Sequence, residues 1–346
     1  MDYSEDGFPQ LRKDPVIGRW VIISTDRAKR PTDWKTEQEV KSDGFCPFCP
    51  GNEDKTPPEV FALRDGGSEP DSPGWRVRVV SNKFPALQIE GHLNRRGEGI
   101  YDLMRGIGAH EVLIENPEHS TDLATLPVEH IRDVFWCLKE RISDLSKDER
   151  FHYILAFKNH GKAAGASLEH SHLQIIATPI VPKRVQEELS GAKQYYDYKE
   201  RCIFCDIIRQ ERASGVRVVS DFGNLITIEP FAARFPFETW LLPCDHQSKF
   251  EDIQEDDLYG LAGAMKETLL RLNKTLDSPP YNFIIHTSPQ LGTDFPEYHW
   301  HFEIIPKLTK VAGFEWGSGF YINATPPELA AECLRNVSID SPAIPD

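Results

Sequence analysis

One order of motifs occurs twice along this chain, and it constrains the fold more than any other feature. Each half begins with a Cys-x-x-Cys pair, at 46–49 and at 202–205, and ends with a His-x-His pair, at 170–172 and at 299–301. Between these pairs, each half carries an apolar segment ending in a histidine turn, then a helical pattern, then a second apolar segment. The two histidine pairs are 129 residues apart. We therefore predict an internal duplication.

The predicted unit combines strands with one helix. In the first half, Ile131, Val134 and Leu138 recur at helical spacing, and the segment "HYILAFKN" that follows is typical of a strand. The predicted fold class is α+β, a duplicated unit in which antiparallel sheets are packed by helices. At 346 residues the chain is long enough for two domains, which we place at 1–190 and 191–346. Chance similarity between two sheet segments is the alternative, and the shared order of features disfavours it.

Charge and cysteine content limit the classes of function. The net charge of −15 disfavours a general nucleic-acid binder, which needs a basic surface. No apolar run approaches the roughly 18 residues of a membrane span, and the acidic N-terminus lacks the features of a signal peptide, so we expect a cytoplasmic protein. The odd count of seven cysteines argues against a disulfide framework. The two Cys-x-x-Cys pairs then indicate metal binding first and redox chemistry second.

Each half offers four candidate metal ligands. Zinc prefers four nitrogen or sulfur ligands in a tetrahedron, and a full set of protein ligands is typical of a structural site. Each cysteine pair is much farther from its histidines than in a nucleic-acid zinc finger, which disfavours that alternative. We predict two structural zinc sites, with the ligands Cys46, Cys49, His119 and His170 in the first half and Cys202, Cys205, His246 and His299 in the second.

The stretch "EHSHLQII" carries the candidate nucleophile. If it forms a strand, His170, His172 and Gln174 share one face of the sheet. With His170 on a metal, His172 remains free, and a neutral imidazole can attack phosphorus and carry a nucleotidyl group covalently. Gln174 can donate a hydrogen bond to a phosphoryl oxygen but cannot activate water, which favours transfer over hydrolysis. The alternative is that both histidines only stabilise the strand.

Two polar segments are candidates for holding phosphate. The loop "KNHGKAAGAS" contains glycines that let backbone N–H groups approach phosphate oxygens, although it lacks the ending of a P-loop. The segment "TDRAKRP" places Arg27 and Arg30 after an apolar strand, where they suit an anion in an otherwise acidic chain. An ordinary connecting loop and a solvated turn are the alternatives.

At "GASLEHSHLQ" the chain resembles the galactose-1-phosphate uridylyltransferase family, a branch of the histidine-triad superfamily. Further stretches that carry the resemblance are "DPVIGRWVIISTDRAKRP", "CPFCPGNEDKTPPEV", "SNKFPAL" and "GFEWGSGFYIN". It implies a two-step ping-pong exchange, in which the active-site histidine takes a nucleoside monophosphate from a nucleotide sugar and passes it to another sugar phosphate. The default reaction is UMP exchange between UDP-glucose and galactose 1-phosphate, in galactose metabolism.

The resemblance also implies roles for individual positions. His172 matches the nucleophile, Gln174 matches the glutamine of the motif, and His170 looks like a zinc ligand. Family members are homodimers whose sites are completed across the interface. The positions that match substrate contacts are Arg27, Arg30, Asn82, Asn159, Gly165 and Ser167, with Phe314 and Glu315 on the sugar side at the interface.

The sequence departs from the family pattern in four places. Tyr321 stands near the place of a sugar-side glutamine, and a sugar-side lysine has no clear match, although Lys310 is close. Ser171 replaces the proline of the familiar H-P-H motif. Some members use a glutamate and three histidines at the second metal site, whereas Cys202 and Cys205 indicate a second zinc, as in relatives similar to plant ADP-glucose phosphorylase. Those relatives move an adenylyl group to phosphate, which is the alternative function. A nucleotide-binding module without catalysis and a histidine-triad hydrolase are further alternatives. Neither nucleic acid nor a membrane is an expected partner.

Overall fold

The computed structural model describes residues 8–24 and 44–339. The predicted anion-binding residues Arg27 and Arg30 lie outside these ranges. The strands are β1 (Gln10–Lys13), β2 (Trp20–Ile23), β3 (Glu59–Arg64), β4 (Trp75–Ser81), β5 (Arg96–Glu98), β6 (Tyr101–Leu103), β7 (Ala109–Ile114), β8 (Tyr153–His160), β9 (His172–Thr178), β10 (Val218–Asp221), β11 (Leu225–Ile228), β12 (Thr239–Pro243), β13 (Tyr281–His286), β14 (His301–Pro306) and β15 (Tyr321–Asn323). The helices are α1 (Val128–Leu145), α2 (Lys183–Lys199), α3 (Ile203–Ser214), α4 (Glu255–Leu276), α5 (Gly313–Ser318) and α6 (Pro327–Asn336).

One ten-stranded sheet runs through both halves of the chain. Its strand order is β10-β11-β12-β14-β13-β8-β9-β7-β4-β3, and every neighbouring pair is antiparallel. From the central β8–β13 pair outward, the first half runs β8, β9, β7, β4, β3 and the second half runs β13, β14, β12, β11, β10. The two halves therefore use their strands in the same order. The predicted α+β class with antiparallel sheets is confirmed.

Two helices cover one face of this sheet and form a single core with it. On α1 the apolar positions Ile131, Val134 and Leu138 are fully buried, as their helical spacing predicts. The long helix α4 packs against α1, and both contribute to one continuous cluster of buried side chains. Phe135 on α1 lies 5.6 Å from Phe302 of the other half, measured between ring centroids. The opposite face carries two smaller apolar clusters, one in each half, as well as polar side chains.

Alternation along β9 determines which of its side chains reach the opposite face. Leu173 and Ile175 are fully buried against the helices. His172 and Gln174, one residue out of phase with them, point to the other face. The fold thus places the candidate nucleophile on the side of the sheet away from α1 and α4.

The second half starts with two helices that sequence periodicity does not predict. The helix α2 buries only Val185 and Ala192, and α3 begins directly after Cys202. The boundary we propose between the domains 1–190 and 191–346 falls within α2. A small separate sheet pairs β1 with β2 and, in parallel, β2 with β15. Within the described ranges, no helix combines the length and the apolar character that crossing a membrane requires.

Candidate active site and candidate metal centres

The first candidate metal centre gathers the four predicted ligands of the first half. The Cys46 and Cys49 turn, the loop after β7 and the bend before β9 bring their ligand atoms within 4.8 Å of one another. Cys49 Sγ lies 3.4 Å from His119 Nδ1 and 3.6 Å from His170 Nδ1. A tetrahedral zinc with bonds of about 2.3 Å to sulfur and about 2.0 Å to nitrogen separates such atoms by about 3.5 Å. The donor set and its spacing fit zinc.

The second candidate centre repeats the first with the ligands of the other half. Cys205 Sγ lies 3.5 Å from His246 Nδ1 and 3.6 Å from His299 Nδ1, and Cys202 Sγ lies 4.0 Å from His299 Nδ1. These four donor atoms also lie within 4.8 Å of one another. The structure therefore brings together both predicted ligand sets.

Backbone carbonyls orient the buried histidine of each centre. His170 donates from Nε2 to the carbonyl oxygen of Asn116, and His299 donates from Nε2 to that of Pro243, both at 2.8 Å. A carbonyl oxygen only accepts, so the proton stays on Nε2 and the Nδ1 lone pair faces the cysteines. Metal-binding histidines are commonly held by such a second hydrogen bond.

The Cys49 thiol of the first centre is unfavourable as a thiolate without a cation. Burial and the neighbouring Cys46 sulfur raise the pKa of Cys49 to about 11. In the second centre, the hydrogen bond from the Cys202 thiol, aided by the two histidines, lowers the pKa of Cys205. A divalent cation would stabilise both thiolates of each pair at once.

His170 does not lie on the same strand as His172, contrary to our prediction. The strand β9 begins at His172, and His170 lies in the preceding bend, where its ring faces the two cysteines. The backbone therefore bends between the two histidines so that one can face the cysteine pair and the other the sheet surface. Of the three predicted residues, only His172 and Gln174 share a face of the strand.

His172 is held as a neutral imidazole with one nitrogen left for chemistry. Its Nδ1 donates to the carbonyl oxygen of His170 at 2.8 Å, which leaves the lone pair on Nε2. Burial lowers the pKa of His172, because a charged ring is poorly solvated there. The Phe48 ring packs edge-on against it, with ring centroids 5.4 Å apart. A neutral, oriented imidazole is the form that attacks phosphorus.

His172 lines a cavity of about 730 Å³ together with the glycine loop. Asn159, Gly161 and Ser167 line the same cavity, so the structure gathers part of the predicted phosphate site around His172. Gly161 has a φ of 80°, and a Cβ there would lie 2.9 Å from the Pro280 side chain. The loop therefore requires glycine at this position.

A larger cavity of about 970 Å³ lies between α3 and β1, away from His172. Its arginines are already engaged in ion pairs, Arg201 with Asp206 and Arg217 with Glu211. Size alone therefore does not identify the reaction site, and we place it at the smaller cavity, which contains His172 and the glycine loop.

The second half of the chain supports the loop through a residue that the sequence did not reveal. Asn282 on β13 donates to Asn159 Oδ1 and to the Ala164 carbonyl oxygen, each at 2.8 Å. In the sheet, Asn282 pairs with Asn159 across the centre. This bond turns the Asn159 carbonyl toward the sheet and its NH₂ away from Asn282. Only the strand register could have predicted the contact.

A buried ion pair lies behind His172, the candidate nucleophile. Lys158 and Glu115 form a salt bridge with side chains that are 1% and 0% exposed. Ser171 donates to Glu115 at 2.6 Å, and Lys158 donates to the Ser171 hydroxyl at 2.8 Å and to the His172 carbonyl oxygen at 3.4 Å. The serine that departs from the H-P-H motif thus closes a buried polar network directly under His172.

Gln174 lies in a second polar network at the other end of this surface. His110 on β7 places its Nε2 2.9 Å from Gln174 Oε1 and 3.1 Å from Asn82 Nδ2. Asn82 begins the loop after β4, and its Oδ1 accepts from the Phe84 backbone N–H at 2.9 Å. The predicted residues Gln174 and Asn82 are therefore connected through His110, which sequence reasoning missed.

The equivalent positions of the second half carry buried side chains that are paired with one another. His301, which corresponds to His172, is 1% exposed and stacks on His286 at a centroid distance of 4.6 Å. Burial, together with the nearby His286, lowers the pKa of His301 to about 4. Glu303, which corresponds to Gln174, forms a buried salt bridge with Arg234. This half therefore has a buried ion-pair network at these positions, and Arg234, His286 and Glu303 also line a cavity of about 450 Å³.

One further group in the described part of the chain has metal-binding side chains. Glu188, His286 and His301 place donor atoms within 4.8 Å of one another. The two rings are nearly parallel, 8° apart, and Glu188 pairs with His286 at 3.0 Å. Parallel rings do not direct their lone pairs at one point, so in this arrangement the group is an ion-pair network.

The predicted sugar-side residues lie apart from the cavity. Phe314 and Glu315 are on the short helix α5, which contacts β15, and neither lines the cavity at His172. The Phe314 side chain is 48% exposed. Within a single chain these two residues are therefore not part of the candidate active site.

Comparison with known proteins gives matches along nearly the whole chain. Residues 1–182 match the model for the galactose-1-phosphate uridyl transferase N-terminal domain, and residues 188–338 match that for the C-terminal domain. ADP-glucose phosphorylase of Arabidopsis thaliana is 39% identical over 345 residues, covering 98% of this chain and 95% of that protein. Galactose-1-phosphate uridylyltransferase of Thermotoga maritima is 28% identical over 340 residues, covering 96% of this chain and 99% of that protein.

Solved structures resemble the fold equally broadly. The crystal structure of ADP-glucose phosphorylase from Arabidopsis thaliana with bound ADP-glucose superposes with a TM-score of 0.82 at 38% identity, covering 96% of this chain and 100% of that chain. A uridylyltransferase structure gives a TM-score of 0.74 at 28% identity, covering 95% of this chain and 97% of that chain.

Proposed function

The chain belongs to the galactose-1-phosphate uridyl transferase family, whose members transfer nucleotidyl groups, and we propose that it does so through a covalent intermediate on His172. The observation that carries this proposal is the state of His172. Its Nδ1 is used by a backbone carbonyl, its ring is kept neutral by burial, and its Nε2 is the nitrogen left at the cavity. This arrangement suits a nucleophile and not a general acid.

The reaction proceeds in two displacements at one phosphorus atom. In the first, His172 Nε2 attacks the α-phosphorus of a nucleotide sugar, so a P–N bond forms and the P–O bond to the sugar phosphate breaks. The sugar 1-phosphate leaves with the electron pair. In the second, a phosphate oxygen of the acceptor attacks the same phosphorus, and the P–N bond breaks to return neutral His172. Gln174 donates a hydrogen bond to a phosphoryl oxygen in both steps.

The proposed substrate-binding residues divide among the phosphates, the nucleoside and the sugar. We assign the phosphates to the backbone at Gly165, to the hydroxyl of Ser167, which lines the cavity, and to the NH₂ of Asn159, which is turned away from Asn282. Asn82 contacts the nucleoside, and Arg27 and Arg30 bind the diphosphate. Phe314 and Glu315 contact the sugar from the partner subunit of a homodimer.

Two nucleotides are candidates for the transferred group. In the reading we favour from the sequence motifs, the enzyme exchanges UMP between UDP-glucose and galactose 1-phosphate, in galactose metabolism. In the alternative, it moves an adenylyl group from ADP-glucose to phosphate. The specific observation that favours the alternative is the 39% identity to ADP-glucose phosphorylase of Arabidopsis thaliana, against 28% to a uridylyltransferase.

The metal centres are structural in this proposal. Each binds one Zn²⁺ through two cysteines and two histidines, a full tetrahedral set that leaves no position for substrate. Zinc would fix the bend that separates His170 from His172 and thereby the start of β9. The identical strand order of the two halves supports a duplicated histidine-triad-like unit. We place the activity of the chain in the cytoplasm.

The experiment that tests this proposal is nucleotidyl labelling without acceptor. The wild-type protein is mixed with UDP-glucose or ADP-glucose carrying ³²P in the α position, and protein-bound label is measured. His172→Ala is the test variant, and His92→Ala, which changes an exposed histidine outside the site, is the matched control.

Acid-labile, base-stable label on the wild type and the control, absent from His172→Ala, is the expected result. Label from UDP-glucose supports uridylyl transfer, and label from ADP-glucose alone supports the adenylyl alternative. Equal label on His172→Ala, or no label from either nucleotide sugar, would refute the intermediate.

A further inference from the structure

His110 occupies a position in the sheet from which it reaches two parts of the candidate site. On β7, His110 pairs with Ile176 of β9, and Val112 pairs with Gln174. His110 is therefore the diagonal neighbour of Gln174 on the same face, within reach of a long side chain. Its carbonyl oxygen also accepts from the Asn82 backbone N–H at 2.8 Å. The residue thus lies between the strand of the nucleophile and the loop after β4.

The loop determines which nitrogen of His110 carries the proton. The backbone N–H of Ala86 lies 3.2 Å from His110 Nδ1 and can only donate, so Nδ1 is the unprotonated nitrogen. A neutral imidazole then has its single proton on Nε2. That proton goes to Gln174 Oε1, at 2.9 Å. The Asn82 amide at 3.1 Å presents its NH₂, which cannot accept, and its oxygen is already bonded to Phe84.

This chain of bonds fixes the orientation of the Gln174 side chain. Because Oε1 accepts from His110, the NH₂ group of Gln174 is turned away from His110 and is left to donate. An unrestrained glutamine amide can present either its oxygen or its nitrogen, and the oxygen would repel a phosphoryl oxygen. His110 selects the orientation in which Gln174 can stabilise the transferring group.

We propose that His110 is a positioning residue for the transfer step, which holds Gln174 with its NH₂ toward the phosphoryl group and couples that orientation to the loop of Asn82. The proposal rests on the function proposed above, since it concerns the same site. It assigns His110 no contact with the reacting atoms. The loop fixes the direction of the hydrogen bond between His110 and Gln174. Because Ala86 donates to Nδ1 of His110, the ring proton is on Nε2, and Nε2 donates to Gln174.

The test uses single-turnover labelling of His172 with whichever α-³²P nucleotide sugar labels the wild-type protein. His110→Phe keeps a ring but removes both nitrogens, whereas His110→Gln keeps a donor near the Nε2 position. Gln174→Ala and the double variant His110→Phe/Gln174→Ala complete a double-mutant cycle, and His92→Gln is the control at an exposed histidine. Thermal melting of every variant reports whether the fold is retained.

We expect His110→Phe to slow labelling at saturating nucleotide sugar by about 10- to 100-fold, because the amide of Gln174 then turns freely. His110→Gln should recover most of the rate. The double variant should be no slower than Gln174→Ala alone, because His110 acts only through Gln174. A loss that affects affinity and not the saturated rate would contradict the proposal.

The outcomes separate this inference from the function on which it rests. No label on the wild type would overturn the proposed function itself. Label on the wild type, with effects of His110→Phe and Gln174→Ala that multiply in the double variant, would overturn the positioning role alone. Equal rates for His110→Phe and His110→Gln would do the same, because a role in packing does not depend on a donor. If His110→Phe does not fold, the comparison of wild type with His110→Gln and His110→Asn decides. His110→Gln, with its donor near the Nε2 position, should be labelled fast, and His110→Asn, with its donor near the Nδ1 position, should be labelled slowly.

Discussion

Removing Lys158 should destabilise the protein far more than removing an exposed lysine. Lys158 is 1% exposed, its partner Glu115 is 0% exposed, and the remaining hydrogen bond to the Glu115 carboxylate comes from Ser171. Lys158→Met preserves most of the side-chain volume but leaves the carboxylate buried without its cation. Breaking a buried pair in this way costs about 3–5 kcal/mol in the free energy of unfolding.

The loss of stability that comes from the unpaired charge can be separated from a packing effect by removing the charge on Glu115 as well. In Lys158→Met/Glu115→Gln no charge is left uncompensated, and the amide oxygen introduced by the second substitution still accepts from Ser171. Replacing a buried pair with neutral groups is often close to neutral, so the double variant should regain most of the lost stability. Lys193→Met is the matched control, because Lys193 pairs with Asp197 at the surface, where both are more than half exposed, and it should cause no measurable change.

The assay is equilibrium unfolding in urea, followed by circular dichroism and by tryptophan fluorescence. Coincident transitions of the two signals would justify a single free energy for each variant. A loss below about 1 kcal/mol for Lys158→Met would refute the reasoning, since it would mean that Glu115 is solvated or neutral without Lys158. A double variant as unstable as Lys158→Met would also refute it, because the cost would then come from packing.

Three further predictions address other parts of the chain. Metal analysis should find two zinc ions per chain, and Cys205→Ser should lower this to one; a wild-type content far below two would contradict the two-site proposal. Glu229→Gln should remove a loss of stability at high pH: burial raises the pKa of Glu229 well above its usual 4.5, so the folded state keeps a proton that the unfolded state releases, and stability falls as pH rises through that interval. Gln accepts the same bond from Thr239, so the variant and the wild type should unfold alike at pH about 4 and diverge above it, and parallel pH profiles would rule this out. Asn282→Leu should slow labelling of His172 by about tenfold while the zinc content stays unchanged, because Asn159 loses the bond that orients it; an unaffected rate would show that Asn159 is oriented by other contacts.

The sequence predicts the elements whose periodicity is strong. The buried residues of α1 and α4 repeat at helical spacing, and the apolar segments of β8 and β13 are long enough to be recognised as strands. The helix α2 escapes prediction because only Val185 and Ala192 are buried along its length, so its pattern is that of a polar segment. Local pattern therefore fails where an element packs by a few residues only.

The candidate site also combines residues that local sequence patterns predict with residues that they do not. Cys46, Cys49 and the other proposed ligands could be predicted because the repeat presents each set twice, and the structure brings both sets together. His110 and Asn282 could not, because their contacts depend on which residue of β9 or β8 lies beside them. Register is a property of the folded sheet, and residues more than 60 positions apart carry no local signal of it.

The pairing of β8 with β13 has a consequence for how the chain is made. During synthesis, the N-terminal half leaves the ribosome with β8 at the open margin of a five-stranded sheet, its backbone N–H and C=O groups unpaired on one side. About 120 residues must follow before β13 can cover that margin, which takes several seconds at ordinary elongation rates. A truncated chain that ended within the second half would keep this margin exposed and tend to associate with its own copies.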